Sequence, residues 1–161
     1  MTRPCLRAVA VTGAAALALS ITLAPAAAAP PSAHDEQIGF QEWSRYPDWR
    51  RGHHDGTTAV PGRRPGVTIA EAAGTVDYPD PHTGTTTTWE YATWTSPVTP
   101  AGFGASELVA SWNADTPPGT WIQVELQGAY NTGDTSPWFV MGRWADGDDD
   151  IRRTTVNRQG D

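Results

Sequence analysis

From Gly56 onward, apolar and polar positions alternate in short runs, and the runs are broken by clusters of Gly, Pro, Asp and Asn. Alternation at every second residue marks half-buried β-strands. "TTAV" leads through the turn "PGRRPG" to "VTIAEA", and "GTVDY" leads through "PDPHTG" to "TTTTWEYATWT". "ELVASWN" leads through "ADTPPG" to "TWIQVELQG"; "NTGDTSP" precedes "WFVMGRWA", and "DGDDD" precedes "IRRTTV". These are roughly seven or eight strand candidates, at the spacing of an antiparallel sandwich or barrel. No window of helical length keeps a helical period, and no repeat of fixed length is present. Upstream, "FQEWSRYPDW" at 40–49 is aromatic but aperiodic, and reads as a short helix or an irregular segment docked on the domain. The expected fold is all-β, an antiparallel, jelly-roll-like β-sandwich over residues 40–161.

The clearest alternation lies in "SWNADTPPGTWIQVELQG", residues 111–128. Pairing Trp112 with Ile122, Ala110 with Val124 and Leu108 with Leu126 gathers the apolar side chains on one face, and a slip of one residue would undo this. The turn then falls at Asp115–Gly119, where Pro117 and Pro118 cannot continue a ladder. The opposite face carries Asn113, Trp121, Gln123 and Glu125. Trp121 therefore sits in the polar phase, where a core tryptophan is not expected.

The amino terminus has a different character. Arg3 and Arg7 precede the small and apolar run Ala8–Leu23, and Ala26-Ala27-Ala28 offers a cleavage site. This is the layout of a cleaved secretory signal peptide, residues 1–28, and it implies an extracellular protein. The apolar run is too short for a membrane span. Residues 29–39, "APPSAHDEQIG", read as a disordered lead-in. Cys5 is the only cysteine and leaves with the signal, so the mature chain has no disulfide, thiolate metal site or cysteine nucleophile. Net charge is −7 over 161 residues and becomes more negative once Arg3 and Arg7 are removed. That balance disfavours nucleic acid and anionic membranes as partners.

Five kinds of chemistry bear on these residues. First, Trp121 with Asn113, Gln123 and Glu125 forms an aromatic plate beside amides and a carboxylate, a surface suited to stacking and hydrogen-bonding a sugar. The commoner arrangement is a tryptophan covered by a neighbouring segment. Second, Glu90, Glu107 and Glu125 are strand acids, and a glycosidase would need two of them across a cleft; solvated strand acids are the ordinary reading. Third, Asp146, Asp148 and Asp150 have the spacing that opens a calcium loop. Ile151 stands where an EF-hand needs glycine and Asn157 where it needs glutamate, so only a looser calcium site remains, and an acidic turn is the simpler reading. No other cofactor is indicated. Fourth, His53 and His54 are adjacent and would point opposite ways on an extended chain, so they read as loop residues rather than metal ligands; His82 in "DPHTGT" reads as part of a hairpin turn. Fifth, there is no G-x-S-x-G elbow, Walker A motif or dinucleotide-binding glycine pattern.

"DPHTGTTTTWEYATWTSPV", "GFGASELVASWNADTPPGTWIQVELQG", "SPWFVMGRWADGDDDIRRTTV" and "RQGD" carry a resemblance. From about Trp43 to Asp161 the chain resembles the N-terminal region of secreted papain-like cysteine peptidases of the bacteriocin-processing (double-glycine) type, found in high-GC Gram-positive bacteria. The resemblance implies a tryptophan-rich β region that precedes a separate papain-like domain, which supplies the catalytic cysteine and histidine. No catalytic residue carries over to this chain. The family pattern continues with further strands, so the β region is expected to be incomplete at its C-terminal end. The expected function is a non-catalytic accessory domain of a secreted cysteine peptidase, with a papain-like domain as its partner. The alternative is a stand-alone carbohydrate or cell-wall binding module; cell-wall polysaccharide or a peptide substrate would be the further partners.

Overall fold

The computed structural model describes residues 37–152 together with 154, 156 and 159. The signal-peptide expectation, most of the lead-in and part of "IRRTTV" lie outside the described residues. The elements run α1 (Tyr46–Arg50), β1 (His53–Asp55), β2 (Thr57–Val60), β3 (Gly66–Ile69), β4 (Gly74–Pro79), β5 (Thr86–Tyr91), β6 (Thr93–Thr95), β7 (Ile122–Leu126) and β8 (Phe139–Trp144). The strands form four two-stranded ladders, β1–β6, β2–β3, β4–β5 and β7–β8, and all are antiparallel. The all-β, antiparallel expectation holds. Among the described residues each ladder stops at two strands, so the broad facing sheets of a sandwich are not present there.

Helix α1 is short and is fixed by one carboxylate. Asp48, in its first turn, accepts from the Arg45 backbone N–H at 3.1 Å and from the Arg45 guanidinium at 3.2 Å. It also meets the Arg51 guanidinium at 2.9 Å. An acid there is favoured by the unpaired N–H groups of the first turn. The helix end is held by aromatic packing: Trp49 and Trp43 both contact Trp94 of β6, at centroid separations of 4.7 and 6.2 Å.

His53 and His54 are not loop residues. They form β1 with Asp55, opposite Thr93–Thr95. Gly56 separates β1 from β2 and lets the chain change partner from β6 to β3. Its φ is +71°, and a Cβ there would lie 2.4 Å from the Glu71 carbonyl oxygen, so only glycine fits. The Gly56 carbonyl then accepts from the N–H groups of Ala70 and Glu71 and closes β3.

In β4–β5, Val76 pairs with Trp89 and Tyr78 with Thr87, which puts Tyr78 and Trp89 on one face. The opposite face carries Asp77 and Thr88, whose hydroxyl donates to the Asp77 carboxylate at 2.6 Å. The turn contains His82, as expected. Its backbone N–H donates to Asp80 Oδ1 at 2.8 Å, and its Nε2 lies 2.9 Å from the Thr154 hydroxyl.

The hairpin expected from the alternation does not form. Residues 107–120 contain no strand, and Leu108, expected inside, is 52 % exposed. β7 pairs instead with β8: Ile122 with Trp144, Gln123 with Arg143 and Val124 with Gly142, then Glu125 with Val140 and Leu126 with Phe139 across a bulge. Alternation specifies which face of a strand is apolar, not which segment completes its ladder, and "WFVMGRWA" carries as good a pattern as "ELVASWN". The hairpin is continued beyond β7 by the Ala129–Thr135 bridge and a tight turn in which the Tyr130 N–H donates to the Asp134 carbonyl at 2.8 Å. Buried Ser136 seals this end: its hydroxyl accepts from the Gly128 N–H and donates to the Pro137 carbonyl. On β8, the Gln159 amide pairs with both backbone groups of Val140, at 2.6 and 2.9 Å, as a short strand would. That covers part of an edge otherwise open to pairing.

The displaced segment becomes a strap. Trp112 crosses the hairpin so closely that a Cβ on Gly142 would lie 2.5 Å from its ring. The buried Thr116 hydroxyl accepts from the Asp146 N–H at 2.7 Å, and Asp150 accepts from the Gly119 N–H at 2.7 Å. The sequence "ADTPPG" thus still makes a turn, but one that docks on the loop after β8.

Candidate functional site

The tryptophan in the polar phase is where the two largest hairpins meet. Trp121 packs on Tyr78 of β4 at 5.3 Å and on Trp89 of β5 at 6.0 Å, the second pair edge to face. Tyr78, Ala145 and Ile151 form the buried core, with Trp89 and Trp121 packed against it. Tyr78 is 6 % exposed and Ile151 only 2 %. The β7–β8 hairpin therefore makes packing contacts from both faces, at Trp121 and Arg143 on one side and under Trp112 on the other. Ile122, Val124 and Gly142 share the face that Trp112 crosses, whereas Trp121 and Arg143 share the face turned to β4–β5. All six residues of β8 are accordingly half-buried.

The polar side chains of this second face are linked in series. Arg143 stacks over the Tyr78 ring at 5.3 Å and donates through Nε to Gln123 Oε1 at 2.7 Å. The Gln123 amide nitrogen then donates to Glu125 Oε1 at 2.6 Å. Gln123 and Glu125 are exposed and adjacent, as the alternation implied. Asn113, expected beside them through strand pairing, is exposed in the strap and belongs to no ladder. Arg143, Tyr78 and Trp89 were not foreseen. Only the β7–β8 and β4–β5 registers bring them to Trp121.

The acidic turn is similarly divided. Asp146 and Asp148 are exposed, and Asp150 is half-buried with its carboxylate on the Gly119 N–H. Among the described residues no group of three His, Cys, Asp or Glu side chains could hold a metal ion. Glu90 pairs with Thr75 on the face of β4–β5 away from Tyr78, and Glu90, Glu107 and Glu125 are all exposed.

Two carboxylates have clearly altered acidity. The Arg45 guanidinium, by hydrogen bonding, holds Asp48 below the usual carboxylate range, with Arg51 adding to the effect. Asp80 is lowered first by the His82 backbone N–H and then by the Thr83 hydroxyl. Both are turn or helix anchors by geometry.

The model of one protein family, described as the Peptidase C39 N-terminal domain, matches residues 39–161. The chain belongs to this family. The match covers all the strands and the helix, so the C39 N-terminal domain is the whole of the fold described above. The resemblance read from "DPHTGTTTTWEYATWTSPV" and its companion stretches holds. No curated protein and no solved structure matches the chain. Among the described residues of this C39 N-terminal domain, no helix is long and apolar enough to cross a membrane.

Proposed function

We propose that this C39 N-terminal domain is a non-catalytic accessory domain of a secreted cysteine peptidase, acting beside a papain-like domain that supplies the nucleophile. The observation that carries the reading is the family match over residues 39–161, joined to the absence of any cysteine after Cys5. A thiolate is the nucleophile of the papain-like reaction, and this region has none to offer.

The stand-alone carbohydrate-binding reading is not favoured. A sugar-stacking plate needs a free ring face, and the Trp121 ring is packed on Tyr78 and Trp89. The test is hydrolysis. The purified chain, incubated with a panel of peptides with and without reducing thiol, is expected to cleave none. When it is joined to a papain-like domain of the same family, that domain's turnover or stability is expected to change. Cleavage by the purified chain itself, or a peptidase domain indifferent to its presence, contradicts the proposal.

A further inference from the structure

The outer edge of β8 already holds an amide. Val140 is level with Glu125 in the β7–β8 register, yet both of its backbone groups are engaged by Gln159. The Val140 N–H donates to Gln159 Oε1 at 2.6 Å, and Gln159 Nε2 donates to the Val140 carbonyl at 2.9 Å. In an antiparallel pair, a residue that does not bond its opposite number turns its N–H and C=O to the other edge. Val140 therefore faces away from β7. There the Gln159 amide makes the exchange that a residue of a third strand would make, one bond given and one received on the same residue.

The cover is a single side chain held by hydrogen bonds. Besides Val140, Gln159 Nε2 has one acceptor, the Val156 carbonyl at 3.1 Å. A peptide backbone offers the same donor and the same acceptor, so replacing one amide by the other leaves the number of bonds to Val140 unchanged. The charge and proline that commonly keep strands off an edge are absent from Phe139–Gly142. Trp138, two residues ahead of Val140, is 49 % exposed. Its ring offers apolar area to a side chain lying along the edge. Met141 is the extra residue of the bulge, between Gly142 paired with Val124 and Val140 paired with Glu125. A bulge bends its strand, which limits a third strand to a few residues about Val140.

We propose that the β8 edge at Val140 is a docking site for an extended peptide, which adds as a short third strand, and that Gln159 is the stand-in it displaces. The peptide is of the kind a secreted peptidase acts on, a source that rests on the accessory-domain reading above. Backbone pairing supplies the affinity, and Trp138 a preference for an apolar side chain.

Binding is followed by nuclear magnetic resonance on the isotope-labelled full chain. The probe is acetyl-Thr-Val-Thr-Val-Thr-amide, and the control is the same peptide N-methylated at every residue. In wild type the peptide is expected to shift the Val140 amide signal and to return the Gln159 side-chain amide signals to solvent-exposed positions. Gln159→Ala is expected to bind it about fivefold tighter, because a hydrogen bond of ordinary net strength no longer has to be displaced. The Val140 amide of that variant should exchange with solvent faster than in wild type until peptide is added. The N-methylated peptide should produce none of these changes. The proposal is overturned if the peptide leaves Val140 unmoved in both proteins, if the N-methylated form binds equally, or if Gln159→Ala binds no tighter. Sedimentation of Gln159→Ala as a dimer, with Val140 protected before peptide is added, assigns the edge to a second copy and also overturns it. No peptidase domain takes part, so these outcomes are independent of the hydrolysis test of the accessory role.

Discussion

Replacing Trp121 by alanine removes the ring through which the β7–β8 hairpin meets β4–β5. Truncating a core tryptophan costs about 3–5 kcal/mol when the neighbours cannot close the gap. They are badly placed to do so. Tyr78 and Trp89 are cross-strand neighbours on one rigid hairpin, and their rings contact Trp121 at 5.3 and 6.0 Å. Each aromatic pair adds about 0.5–1.5 kcal/mol beyond its buried area. Trp121 is half-buried rather than fully buried, which places the expected loss at about 3 kcal/mol, the lower end of that range. For a domain of this size such a loss lowers the melting temperature by roughly 10 °C. Urea denaturation followed by far-ultraviolet circular dichroism measures it directly. A double-mutant cycle with Tyr78→Leu should show coupling between the two positions, because they are in contact. If Trp121→Ala unfolds at the wild-type urea concentration, and the cycle gives no coupling, the packing argument is wrong and the ring is a surface plate.

Gly56→Ala is expected to destabilise by at least about 1–2 kcal/mol from the left-handed backbone alone. The collision with the Glu71 carbonyl oxygen adds to that, and chemical denaturation reads the total. Gly142→Ala should be destabilising in the wild-type background and much less so when Trp112 is shortened to leucine, because the ring is what the new methyl would meet. Asp48 is held below its usual range by Arg45. Its carboxylate therefore contributes stability that is fully present above the ordinary carboxylate pKa and is lost as pH falls through the lowered value. Asp48→Asn should be less stable than wild type at neutral pH, and the difference should shrink in acid, as followed by melting temperature against pH.

Much of the local grammar was legible in the sequence. "TTAV", "GTVDY", "TTTTWEY", "WIQVELQG" and "WFVMGRWA" all contain strands, and "PDPHTG" is the β4–β5 turn, because strand propensity and turn chemistry act over a few neighbouring residues. Partner choice was not legible. "ELVASWN" has the alternation of a strand, yet it lies across the β7–β8 hairpin through Trp112 and leaves Leu108 exposed. The one signal that could have pointed to this was Gly142, a residue without a side chain in the middle of an otherwise bulky run, which marks close approach by another group. The place of Trp121 was hidden for a related reason. Period-two patterns assume one wet face, whereas this face is wet at Gln123 and Glu125 and covered at Trp121.

The β7–β8 pairing supports the packing of Trp121, and it can be tested by cross-linking. The only native cysteine is Cys5, so engineered pairs in a Cys5→Ser background report on single contacts. Gln123→Cys with Arg143→Cys should oxidise readily to an intramolecular disulfide, because these residues are directly paired. Ala110→Cys with Val124→Cys, the pairing suggested by alternation alone, should remain reduced under the same conditions. A disulfide in the second pair and none in the first would contradict the account.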